Sequence, residues 1–272
     1  MLALYRKYRP VVFGDVIAQE HVTRTLINQV KHGRVTHAYL FTGSRGTGKT
    51  TCARIFARAV NCLSPVDGSP CGKCEACRAL SGAGNIDIIE LDAASNNGVD
   101  SVRALRDEAI YSPAQVKKRV YIVDEVHMLS TPAFNALLKT LEEPPENVMF
   151  ILATTEPQKL PATILSRCLR LDFKRVPQVL LMEGMRRICA EKGSALKLLA
   201  NCADGSVRDG LSVLDQVLAS GQKQIDRNDV LEYIGAAGED FFIELTDLTA
   251  LHKVPEALLL LDQALADGKD VR

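Results

Sequence analysis

Two short segments of this chain carry residues at the spacing that triphosphate chemistry needs. The run Gly43-Ser44-Arg45-Gly46-Thr47-Gly48-Lys49-Thr50, followed by Thr51, matches a phosphate-binding loop at every fixed position. Its glycines let the backbone curl so that successive N–H groups face phosphate oxygens. The start of the following helix adds partial positive charge. Lys49 is placed to bridge the outer phosphates, and the Thr50 hydroxyl to ligate Mg²⁺. The second segment, Val120-Tyr121-Ile122-Val123-Asp124-Glu125, is an apolar strand ending in two carboxylates. Asp124 suits Mg²⁺ held through water, and Glu125 suits the polarisation of an attacking water. The pair favours hydrolysis over nucleotide binding alone.

A third constellation is Cys62, Cys71, Cys74 and Cys77. Four thiolates close a tetrahedral shell around Zn²⁺ with no open position, so such a site is structural. The surrounding residues 61–84 hold too few apolar side chains for a core of their own, and metal binding would order them. An iron–sulfur cluster, disulfides or unliganded cysteines are the alternative readings of the same residues.

The elements that must position these groups can be read from hydropathy. Residues 18–32 and 48–60 have helical periodicity, as do Val99–Ile110 and Pro132–Leu141, the last with Thr131 as N-cap candidate and Pro132 at the first helical position. His37–Thr42, Ile86–Leu91, Arg119–Asp124 and Val148–Ala153 read as four strands, and a short helix begins at Pro161. Strands alternating with helices predict a parallel sheet covered on both faces, with ligands at its C-terminal edge. Beyond about residue 174 only helices are expected, broken near Gly193, Gly205, Gly221 and Gly235–Gly238, with two more helix-like stretches after 239. The fold class is therefore α/β: a phosphate-loop domain over 1–174 with an insert at 61–84, a helical domain over 175–237, and the start of a further helical unit over 238–272.

Of the 272 residues 47% are hydrophobic, enough for a buried core, and the formal net charge is zero. Charge is unevenly spread: residues 1–60 hold ten Lys/Arg against two Asp/Glu, and residues 201–272 hold six against fourteen. A basic front suits phosphate ligands. No unbroken apolar run of membrane-spanning length and no export signal is seen, so a cytoplasmic protein without membrane contact is expected. In a reducing compartment the clustered cysteines read as metal ligands.

Together with Tyr5-Arg6-Lys7-Tyr8-Arg9-Pro10, the segments Asp124–Leu129, Leu137–Pro145, Ala153-Thr154-Thr155 and Ser166-Arg167-Cys168, these motifs resemble the tau/gamma subunits of bacterial DNA polymerase III, which are AAA+ clamp-loader ATPases. The resemblance implies ATP, Mg²⁺ and structural Zn²⁺. It implies that Thr155, in preference to Thr154, is the sensor 1 residue. Arg167 becomes the arginine finger for a neighbouring subunit's site, and Arg208 the sensor 2 arginine of the lid. Tyr8, Arg9, Val16 and Ile17 would surround the adenine. Implied partners are other clamp-loader subunits in a ring, a sliding clamp, and primer–template DNA gripped by its backbone, with Arg103 and Lys139 as candidate phosphate contacts. A branch-migration AAA+ motor and a non-hydrolysing nucleotide- or zinc-binding scaffold are the competing readings. Two departures from the family pattern stand out. Ala18 replaces a usual glycine, with little effect expected, and the connection at Glu191-Lys192-Gly193 is shorter than usual.

Overall fold

The computed structural model describes residues 3–82, 85–109, 111–113, 115–188, 193–219, 230 and 239–266. Strands β1 (Ala38–Thr42), β2 (Ile88–Asp92), β3 (Arg119–Asp124), β4 (Val148–Thr154) and β5 (Leu169–Asp172) form one parallel sheet in the order β2-β3-β4-β1-β5. The central strands are apolar along their whole length because both faces are covered. Ala38 and Leu40, Tyr121 and Val123, and Phe150 and Leu152 point to one core. Tyr39 and Phe41, Val120 and Ile122, and Met149 and Ile151 point to the other. The first face is closed by α5 (Val99–Ala109) and α6 (Thr131–Glu142), the second by α2 (Glu20–His32) and α3 (Lys49–Asn61). Tyr39 meets Phe56 edge-on at 4.9 Å between ring centroids, and Tyr121 stacks on Phe150 at 5.3 Å.

Four strands agree with the sequence reading to within two residues at their ends. The fifth, Leu-Arg-Leu-Asp, is an addition. Only Leu171 of its four residues is buried, so it offers a single apolar position and no readable alternation. The insert contains a one-turn helix, α4 (Glu75–Ala79), capped by the Cys74 sulfur. The cap of α6 differs from expectation: Ser130, not Thr131, accepts the Ala133 N–H, and the helix starts at Thr131 with Pro132 one position further in.

Phe173–Pro177 leads into helices α8 (Gln178–Arg186), α9 (Gly193–Cys202) and α10 (Val207–Ala219). Their core includes Leu181, Met185, Leu196, Leu199, Leu211 and Leu214. The short leader helix α1 (Leu4–Lys7) packs on this core through Leu4 and Tyr5, and the Leu4 N–H is bonded to Asp215 Oδ2 at 3.2 Å. Two final helices, Glu239–Ala250 and Val254–Ala266, pack on each other. The junction flagged at Glu191–Lys192 and the breaks near Gly221 and Gly235–Gly238 lie outside the described residues. No described helix is long and apolar enough to cross a membrane.

Ala18 has φ +59°, in the left-handed region. A side chain there costs about 1–2 kcal/mol, which explains why glycine suits this position and corrects the expectation of little effect. Ala18→Gly should raise stability by about 0.5–1 kcal/mol, after the entropy glycine adds to the unfolded chain is subtracted. Chemical denaturation of the two proteins measures the difference.

Candidate functional site

The strand order places the C-terminal ends of β1, β4 and β3 side by side, and the sequence-predicted groups meet there. After β1 the chain turns through Gly43, Gly46 and Gly48, with φ of +141°, +74° and +104°. A Cβ on Gly43 would lie 2.3 Å from the Phe173 carbonyl, and one on Gly46 would collide with Ser206. Gly48 caps α3 without any side-chain partner for the helix N–H groups, and the space beside it is open. An anion fits that arrangement.

Lys49 is 5% exposed and donates to the carbonyls of Gly43 at 2.7 Å and Ser44 at 2.8 Å. Burial lowers its pKa, against the opposing pull of Glu125 and Asp124. Its ammonium thus already sits where the loop's phosphates belong. The Thr50 hydroxyl donates to Asp124 Oδ2 at 2.7 Å. Two oxygens that suit Mg²⁺ are therefore adjacent, one from the loop and one from β3. Glu125 sits in a turn with φ +46°, a strained conformation of the kind found at functional sites. Its Oε2 accepts from Thr155 N at 3.2 Å and Thr155 Oγ1 at 3.0 Å. Thr154 is fully buried and its hydroxyl meets His127 instead.

Lys49, Thr50, Asp124 and Glu125 border a cavity of about 1230 Å³, lined also by Tyr8, Arg9, Val16, Ile17, Arg45, Thr47, Thr51 and Arg208. Arg9 bonds Thr51 Oγ1 at 3.0 Å through Nε, and burial foremost lowers its pKa. Arg208, on the first turn of α10, stacks over the Tyr5 ring at 5.1 Å. The nearby Asp204 is paired with Arg175. The lid touches the loop directly, because Val207 N–H donates to the Gly46 carbonyl at 3.1 Å. Buried Gln19 ties the same loop to the linker, with its side-chain amide bonded to Lys174 O at 2.7 Å and Thr47 O at 3.4 Å.

Gly43, Ser44, Thr155 and Arg167 lie outside the cavity lining. Thr155 is tied to it through Glu125, whereas Arg167 bonds Thr163 O and Glu142 Oε1 on its own surface. Arg103 and Lys139 are exposed on the adjacent helices α5 and α6, with Arg103 near Asp100. Sequence reasoning missed Tyr5, Gln19, His127 and Glu156. A polar residue two positions after the acidic pair was the available signal for His127.

The sulfurs of Cys62, Cys71, Cys74 and Cys77 all lie within 4.8 Å of one another, the first and third 3.9 Å apart. Tetrahedral Zn–S bonds of about 2.3 Å require sulfurs about 3.8 Å apart, so the donor set fits zinc. No two of these sulfurs are bonded as a disulfide. Backbone N–H groups, that of Lys73 foremost, draw the Cys71 thiol down to about 6, and burial pushes Cys77 up to about 12. Cys62 directly follows α3, so the cluster is joined to the far end of the phosphate-loop helix.

Comparison with known proteins follows the same lines. Residues 18–177 match the family described as DNA polymerase III, delta subunit, and residues 182–223 match the DNA polymerase III clamp loader subunit, ATPase lid domain. DNA polymerase III subunit tau of Bacillus subtilis is 49% identical over 275 residues, covering 98% of this chain and 48% of the relative. The tau subunit of Escherichia coli is 45% identical, covering 97% and 42%. The chain thus spans about half the length of the curated relatives it matches. The Thermotoga maritima RuvB Holliday junction branch migration motor superposes with a TM-score of 0.62 at 19% identity, covering 90% of this chain and 80% of that one, and shares its AAA+ fold. With the first of these matches covering more than half of it, the chain belongs to the DNA polymerase III clamp-loader family, among relatives of the tau/gamma type.

Proposed function

We propose that this chain is the motor part of a clamp-loader subunit, hydrolysing ATP to open a sliding clamp and close it around primed DNA. The observation that carries the reading is the 2.7 Å contact between Thr50 Oγ1 and Asp124 Oδ2. It joins the phosphate loop to the acidic strand at the point where a nucleotide's metal belongs. Gly43–Thr51 would cradle the triphosphate, Lys49 leaving its carbonyl partners for phosphate oxygens. Thr50 and Asp124 would hold Mg²⁺, which neutralises phosphate charge when bound. Glu125 polarises the attacking water and Thr155 orients it. Tyr8, Arg9, Val16 and Ile17 line the adenine end.

Arg208 senses the nucleotide from the lid, and its contact biases lid position. Arg167 serves the neighbouring subunit's site. Arg103 and Lys139 contact the DNA backbone. Cys62, Cys71, Cys74 and Cys77 hold zinc as a structural staple. The domain divisions at 174/175 and 237/238 follow from the same reading. It implies other loader subunits in a ring and a cytoplasmic setting.

The RuvB-like fold favours a branch-migration motor as second reading. Identities of 45–49% to tau subunits support clamp loading more strongly. The test uses the full-length protein with its partner subunits, a labelled clamp and primed DNA. ATP-dependent clamp opening and DNA-stimulated hydrolysis are expected. Strand displacement without a clamp would favour branch migration, and tight ATP binding with no turnover would favour a scaffold.

Zinc removal gives a separate check. Cys74→Ser should remove one bound zinc per chain and lower the melting temperature by about 10 °C, since loss of a structural metal is among the most costly single changes. Metal analysis and calorimetry read the two effects.

A further inference from the structure

His127 lies in the turn Val126–Met128, directly after Glu125, with its side chain only 6% exposed. Both ring nitrogens are engaged. Nδ1 is 3.0 Å from Thr154 Oγ1 and 3.4 Å from Glu125 Oε2. Nε2 is 3.0 Å from Glu156 Oε2, which also meets Lys159 Nζ at 2.8 Å. The two carboxylates lead in different directions. Glu125 faces the phosphate loop. Glu156 begins the segment through Pro157–Lys159 and α7 (Ala162–Leu165) that ends at Arg167. A buried histidine needs partners for both nitrogens whatever its role; what sets this one apart is that two of its neighbours are the carboxylates of Glu125 and Glu156.

We propose that His127, with a proton on each ring nitrogen, is a positioning residue for ATP hydrolysis: its Nδ1 edge fixes the Glu125 carboxylate against Thr155, and its Nε2 edge anchors the ring to Glu156. This rests on the motor reading above. Glu125 occupies a strained backbone position and projects from a turn, so the ring supplies a lateral stop that the backbone does not. Mispositioning the water-activating carboxylate acts on the chemical step and leaves nucleotide binding untouched.

The two edges can be separated. Asparagine places an amide nitrogen near the Nδ1 position and gives up the reach to Glu156. Glutamine reaches the Nε2 position and gives up Nδ1. In the full-length protein assembled with its partners and primed DNA, His127→Ala and His127→Gln should lower kcat about 10–100-fold, with KM for ATP within about twofold. His127→Asn should recover kcat to within about threefold of wild type. Melting temperatures of the three variants are measured alongside. Recovery by glutamine and not asparagine, wild-type kcat in all three, or kcat losses that simply follow melting temperature would each overturn the proposal. If the wild-type assembly itself shows no turnover, the motor reading falls and takes this one with it. Normal wild-type turnover with indifferent variants removes only the role of His127.

Discussion

Arg167→Ala should lower ATP turnover of the assembled, full-length protein by about 10³–10⁵-fold and leave ATP affinity of the isolated chain unchanged within about twofold. The expectation follows from where the guanidinium sits. It is absent from the cavity lining and is held on its own surface by Thr163 O at 2.9 Å and Glu142 Oε1 at 2.8 Å. The side chain is one-third exposed, and its ion pair is of the surface kind that opens at little cost. It can therefore swing outward to a neighbour. The transition state of phosphoryl transfer spreads negative charge that Lys49 and one metal ion only partly balance. Turnover with and without primed DNA, beside nucleotide binding by the isolated chain, separates the cases. Undiminished turnover removes the trans role, and weakened binding in the isolated chain puts the arginine in its own site.

Glu125→Gln should lower turnover by about 10²–10⁴-fold, the usual contribution of a positioned base, while ATP stays bound. Glutamine has the same shape and keeps an oxygen to accept from Thr155 N and Oγ1. It tolerates the left-handed backbone no differently from glutamate, so folding is unaffected. The negative charge, with its pull on Lys49 and its affinity for a proton, is what is lost. Because Lys49 and Thr50 are untouched, the variant should trap ATP in the assembly. Filter binding with radiolabelled ATP, beside phosphate release, tells trapping from failure to bind. A variant that hydrolyses normally places the water-activating group elsewhere.

Much of this arrangement was legible in the sequence because the chemistry sits on rigid elements. Gly43–Thr50 and Asp124-Glu125 are local runs, each bounded by an apolar strand, and burial on both faces of β1, β3 and β4 is written in their unbroken apolar runs. The four cysteines are readable because ligand spacing survives without any knowledge of the fold. Strand β5 was not readable. Four residues with one buried side chain carry too little signal, and the strand exists because β1 offers it an edge. The contacts of Gln19 with Lys174 and of Tyr5 with Arg208 were invisible for another reason. Each joins residues more than 150 positions apart, and nothing local in either partner announces the other. The left-handed turn at Ala18 shows the limit from the opposite side, since alanine is a residue type that ordinarily signals helix.

Strand β1 bears the phosphate loop at its end, yet hydrogen-bonds only to β4 and β5, with Ala38 beside Phe150 and Thr42 beside Asp172. Its neighbours in space are thus among the last parts of the sheet to be synthesised. At a translation rate of about 5–20 residues per second, the nascent segment that includes Tyr39, Leu40 and Phe41 waits roughly 5–25 s for a partner. During that interval the nucleotide site cannot exist, and a bare apolar strand is open to chaperones or to another nascent copy. Ribosome-bound chains arrested shortly before and shortly after β4 and β5 emerge should therefore differ sharply in protease resistance.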